Sequence, residues 1–212
     1  MYFFKRSIFD FIKIKLILPL ILTILFFCNI THSEEIFIGF IESLEGQAKK
    51  NINGNLKRLS EYDQIFTNEN IIISPNSSIN ISFVDNSTLT LYGDSEFLVK
   101  EFDNISQEKL FRLEILKGKF IFESGSIAKS KDDAMKIILS EIEVVLNGTL
   151  VTGENSEENK TISLVEDSMG NFWSLTVIIG DQTTTITEPS AGINISVSQI
   201  QQTTLSPEEA DQ

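Results

Sequence analysis

Histidine and cysteine carry much of nucleophilic and zinc chemistry, and each occurs once in this chain, at His32 and Cys28. Both fall in an N-terminal stretch patterned as a removable leader. Beyond it there is no Ser-His-Asp triad, no Cys-His dyad and no zinc site built on His or Cys. Carboxylates are plentiful. A pair of them can hydrolyse a glycosidic bond, but among 30 Asp and Glu residues such pairs are unavoidable and uninformative. Nothing marks a tuned acid. The expectation is no enzyme, with no catalytic residue, metal ligand or cofactor site. The segment Glu154-Asn155-Ser156-Glu157-Glu158-Asn159 offers oxygen donors to calcium, yet lacks the glycine and ligand spacing of an EF-hand loop. It reads as a solvated loop.

Two further groups of residues stand out. Phe172 and Trp173, beside Gly170, could stack a sugar ring, although a lone Trp in a strand is more often core. The turn Asp85-Asn86-Ser87 lies between two alternating runs. Ile79, Ile81 and Phe83 alternate with Asn80 and Ser82 before it, and Leu89 and Leu91 resume the pattern after it. That is two half-buried strands joined by turn chemistry. Asp85 can accept backbone N–H bonds, Asn86 can take positive φ, and Ser87 can bond back to the chain.

The elements that must position these residues are strands almost throughout. Alternating or β-rich runs are separated by Asn53-Gly54, Tyr92-Gly93-Asp94, Lys117-Gly118, Asn147-Gly148 and Gly180-Asp181. Such residues close tight turns, and strands at this spacing imply an all-β fold. Short helical turns are allowed at Glu61–Phe66 and at Asp132-Asp133-Ala134. Lys117-Gly118 is expected to separate two strands. Residues 124–133 are rich in Gly, Ser, Lys and Asp and suggest a hinge between two lobes. The tail from residue 199 is too polar to pack and is expected to be unstructured.

Lys5, Arg6, Lys13 and Lys15 precede an apolar run from Leu16 to Cys28, followed by Thr31-His32-Ser33. This order of basic, apolar and small residues predicts a signal peptide over 1–33, cut before Glu34. The rival reading is an uncleaved inner-membrane anchor, against which Pro19 and the short run count. Phe26 and Phe27 before Cys28 argue against a lipoprotein. The leader takes four of 17 basic and one of 30 acidic residues, leaving 13 against 29, a net −16 over 179 residues. Such a surface repels phosphate, so nucleic acid is not an expected partner. After cleavage no stable membrane insertion is expected.

Several segments together resemble the FecR-type domain of bacterial envelope proteins. Ile38-Gly39-Phe40-Ile41-Glu42-Ser43-Leu44-Glu45-Gly46-Gln47-Ala48 is similar to its opening strand and glycine turn. The run from Ile65 to Ser78 resembles the stretch before its central hairpin. Phe83-Val84-Asp85-Asn86-Ser87-Thr88-Leu89 matches its Phe-x-Asp-Gly-Ser-x-Leu signature, with Asn86 in place of glycine. Leu113 to Phe120 is similar to its closing strand pair. Ser124 to Lys129 and Val145 to Thr149 resemble an extension of exported members, Leu146-Asn147-Gly148-Thr149 standing where Ile-Arg-Gly-Thr is usual. The resemblance implies a wrapped, solenoid-like double sheet of many short antiparallel strands, with a β-sandwich as the alternative. Residues 34–124 would be the FecR-like domain and 125–198 a C-terminal extension. It further implies a non-enzymatic module of the periplasm that contacts an envelope protein, periplasmic or secreted. Siderophore-uptake regulators of this family carry a cytoplasmic sigma-factor-binding region. Here about fifteen residues precede the apolar run, too few for such a domain. Glycan or cell-wall binding, and a structural surface role, are the alternatives.

Overall fold

The computed structural model describes residues 35–52, 54–166, 173–188, 191–196 and 199–204. The expected leader, its cleavage site and Phe172 lie outside these. The described chain forms 17 strands. In order they are β1 (Phe37–Glu45), β2 (Ala48–Ile52), β3 (Asn55–Arg58), β4 (Gln64–Phe66), β5 (Asn70–Ile73) and β6 (Ser78–Phe83). Next come β7 (Thr88–Tyr92), β8 (Ser95–Asp103), β9 (Leu110–Glu123), β10 (Met135–Leu139), β11 (Ile142–Leu146) and β12 (Leu150–Asn155). The last are β13 (Lys160–Val165), β14 (Leu175–Ile179), β15 (Gln182–Ile186), β16 (Ala191–Ser196) and β17 (Gln199–Thr204). Among the described residues no helix is long and apolar enough to cross a membrane.

Alternation decides which face each strand buries. In β6, Ile79, Ile81 and Phe83 are buried and the residues between them half-buried. β7 repeats this with Leu89 and Leu91, paired with Ile81 and Ile79. The strands fall into two layers. One runs β4-β1-β6-β7-β9-β12-β13-β16-β17. The other runs β3-β2-β5-β8-β9-β10-β11-β14-β15. Beyond β9 the hairpins alternate between layers, as a wrapped double sheet requires. Phe111 of β9 joins the layers at the core, edge-on to Phe83 and Phe102 at 5.0 Å and to Phe122 at 5.9 Å.

β9 belongs to both layers. Its first half pairs with β8 and β10, its second half with β7 and β12. The expected break at Lys117-Gly118 is therefore a bend within one strand. Gly118 makes it at φ 105°. Ser95 is packed against this glycine, and a Cβ there would lie 2.7 Å from Ser95 Cα.

Residues 124–133, expected as a hinge between lobes, form a packed crossover instead. They carry the chain from one layer to the other, where β10 lies parallel to β9, from Met135 opposite Phe111 to Ile138 opposite Glu114. A parallel neighbour demands such a crossover. Ile127, Ala128 and Ala134 are buried in the core, and from Glu35 onward the chain is one compact unit. Arg112 fastens the end of the crossover, donating from Nη1 to Ala134 O at 2.7 Å and from Nη2 to Asp133 O at 2.9 Å. Burial of the Lys136 ammonium opposes its charge, but the Asp133 and Glu143 carboxylates beside it outweigh burial and raise its pKa.

Other differences are local. Glu61–Phe66, read as a helical turn, ends in β4, because Gln64–Phe66 pair with β1. The short helix lies at Ile127–Lys129, not at Asp132–Ala134, where Asp133 takes φ 63°. Gln199–Thr204, assigned by composition to an unstructured tail, pair with β16 along their length.

Candidate functional site

The turn Asp85-Asn86-Ser87 is the best-defined polar centre of the fold. Asp85 and Ser87 are 1% and 0% exposed. Ser87 N–H donates to Asp85 Oδ1 at 3.1 Å, and Asn86 sits at φ 65°. The turn also grips the crossover, which lies 38 or more residues further along. Gly125 N–H donates to Ser87 Oγ at 2.9 Å, Ser126 N–H to Asp85 O at 2.8 Å, and Ile127 N–H to Asp85 Oδ2 at 3.4 Å. Gly125 must be glycine for this approach, since a Cβ would lie 2.5 Å from Ser87 N and 2.8 Å from Asn86 C. Ser124 then donates from N and Oγ to Thr149 O at 3.0 and 2.9 Å. The signature turn, the start of the crossover and the Gly148-Thr149 corner thus form one hydrogen-bonded latch.

The chemistry of this latch is structural. Asp85 Oδ1 accepts the turn's own Ser87 N–H and Oδ2 accepts Ile127 N–H of the crossover, donors that would otherwise be buried unpaired. Among the described residues no group of three His, Cys, Asp or Glu could hold a metal ion.

A second buried polar group escaped the sequence reading. Lys50 Nζ lies 2.5 Å from Glu69 Oε1, with side chains 10% and 3% exposed. Phe66 N–H donates to Glu69 Oε2 at 3.1 Å, and the Phe66 ring centroid is 5.8 Å from Lys50 Nζ. The pair ties β2 of one layer to the turn between β4 and β5, and through Phe66 to β4 of the other layer. The alternation of β2 carries a signal for it, because Lys50 falls on the face of buried Ala48.

Trp173 is 57% exposed. It lies near Lys129 and the Gly148 corner, where a Cβ on Gly148 would be 3.1 Å from Lys129 Cε and 3.8 Å from Trp173 Cδ1. Other exposed apolar side chains are Ile36, Phe37 and Phe40 at β1 and Val84 after β6. Phe37 meets Phe66 edge-on at 6.0 Å. Bulges in β1 at Phe37/Gly39 and Ile41/Ser43 upset simple alternation and put Phe40 outside.

Fold and latch together define a two-layer β module whose distinctive polar residues hold its own backbone. Residues 69–169 match the family model described as FecR protein. The match begins after the opening strand and runs through the latch into the region beyond β13. No curated protein matches the chain. Two crystal structures of a candidate anti-sigma factor from Parabacteroides distasonis ATCC 8503, at 1.65 and 2.50 Å, share the fold. They superpose with TM-scores of 0.51 and 0.52 at 11% and 12% identity. Each match covers 64% of this chain and 59% of the other.

Proposed function

We propose that this protein is a non-enzymatic signalling module of the bacterial cell envelope that works by binding another protein. The observation that carries this reading is the latch. The residues that mark the family are spent on backbone hydrogen bonds inside the fold, so activity falls to its surface. That surface offers open sheet edges, where a partner can add a strand. The FecR match and the anti-sigma description of the structural neighbours favour a regulatory role. The basic-apolar-small leader pattern favours export to the periplasm. Affinity capture from envelope extract under mild cross-linking should return the same protein repeatedly. Repeated recovery of none would refute the proposal. Fractionation into periplasm, membrane and medium tests the location.

The exposure of Trp173 favours a second reading, a glycan- or cell-wall-binding surface. Trp173 is the chain's single tryptophan. Its emission should shift on titration with cell-wall fragments, and a flat titration removes this reading.

A further inference from the structure

The two ends of the double sheet are finished differently. At the N-terminal end, β3 carries Lys57 and Arg58, fully on the surface, and β4 is only 3 residues long. Charge and brevity both discourage a strand from adding to an edge. At the other end β15 has the sequence Gln182-Thr183-Thr184-Thr185-Ile186, with no charge and no proline. Among the described residues it pairs with β14 alone. In so acidic a chain, an uncharged, β-branched edge of this length is an unprotected template.

The register of β15 fixes what its free edge presents. Ile179 pairs with Gln182 across the two-residue turn Gly180-Asp181. Residues flanking a two-residue hairpin loop exchange hydrogen bonds, and the pattern alternates from there. Gln182, Thr184 and Ile186 therefore bond to β14. Thr183 and Thr185 turn their N–H and C=O groups outward. We propose that a second copy of this chain adds its β15 to this edge, antiparallel and centred on Thr184.

This register is self-complementary. Thr183 faces Thr185 of the second copy, and the two exchange backbone hydrogen bonds. Thr184 faces its own equivalent. Gln182 lies opposite Ile186, so every side chain stays on its own face. Asp181 meets Thr187 and Glu188 meets Gly180, so no carboxylate stands directly across from another. Thr176 and Thr185 already bring their Oγ1 atoms to 3.2 Å between β14 and β15. The added strand extends this threonine row, a favourable cross-strand pairing. The inference concerns self-association and does not depend on the signalling partner.

The test uses the chain expressed from its full sequence and purified in the form the host yields. Sedimentation equilibrium should show a concentration-dependent doubling of mass. Thr185→Pro removes an outward N–H and leaves β14 pairing intact, as an edge strand tolerates. It should weaken the dimer at least about tenfold with unchanged circular dichroism. Thr183→Lys/Thr185→Lys puts like charges opposite each other and should do the same. Thr184→Cys should form a disulfide-linked dimer on mild oxidation, because only residue 184 opposes itself; Thr183→Cys should not. A single-chain mass at all concentrations overturns the proposal. So does a dimer that survives both edge variants, or equal cross-linking through Thr183→Cys and Thr184→Cys.

Discussion

At the residue scale, the decisive group is the Asp85 carboxylate, which works on the backbone of a distant segment. Its two oxygens accept N–H groups from Ser87 and Ile127 in the dry interior. Asp85→Ala leaves both donors buried without partners. Hydrogen bonds to a charged group contribute about 1.5–3 kcal/mol each, so a loss of about 3 kcal/mol is expected. A fall in the urea midpoint without a change in slope would register it. The role of this turn was half legible. Asp, Asn and Ser between two alternating runs specify a hairpin corner, and Asn86 takes the positive φ that such a corner needs. The grip on Gly125–Ile127 was not legible, because a local turn motif carries no information about a partner 38 residues away. Lys50 and Glu69 were missed for a related reason. Lysine and glutamate read as solvated unless a specific partner is known, and the partner came from a turn 19 residues away.

At the scale of elements, hairpins were legible and the long strand was not. β6 follows from alternation, and β5, β10 and β11 follow from short apolar runs bounded by turn residues. Lys117-Gly118 has the chemistry of a turn, yet the same positive φ bends β9 from one layer into the other. Gly118→Ala forces an L side chain into φ 105° and against Ser95. The strain is about 1–3 kcal/mol, before the clash is relieved. Thermal unfolding should start several degrees lower, and Ser95→Gly should partly restore it. The loop between β8 and β9 gives a pH prediction. The Ser106 N–H and hydroxyl, and the Ile105 N–H, bond the Asp103 carboxylate and hold its pKa below the ordinary aspartate value. A lowered carboxylate pKa stabilises the folded loop above the unfolded value, and the contribution is lost as pH falls through the folded one. Exchange protection of the Ile105 and Ser106 amides should therefore hold at neutral pH and fade only in acid, below the ordinary aspartate range. Asp103→Asn should lower it at neutral pH and flatten the pH dependence.

At the scale of the molecule, one strand shared by two layers makes the fold a single mechanical unit. Composition suggested two lobes because residues 124–133 look like a linker, rich in small and charged residues. The burial of Gly125, Ile127 and Ala128 depends on which layer the chain enters next, and local composition does not encode that choice. The consequence is cooperative unfolding. Leu89 of β7 is wholly buried near the first half of the chain, while β11 lies beyond the crossover. If β9 and the latch bind both regions into one unit, Leu89→Ala must weaken β11 as much as β6. Truncating a buried leucine costs about 2–5 kcal/mol. Native-state hydrogen exchange should show the slowest amides of β6 and β11 losing protection by the same amount, and circular dichroism should report one transition. Two lobes joined by a hinge would leave β11 protected while β6 opened. Equal loss on both sides of the crossover is the signature of a sheet that changes layers within a single strand.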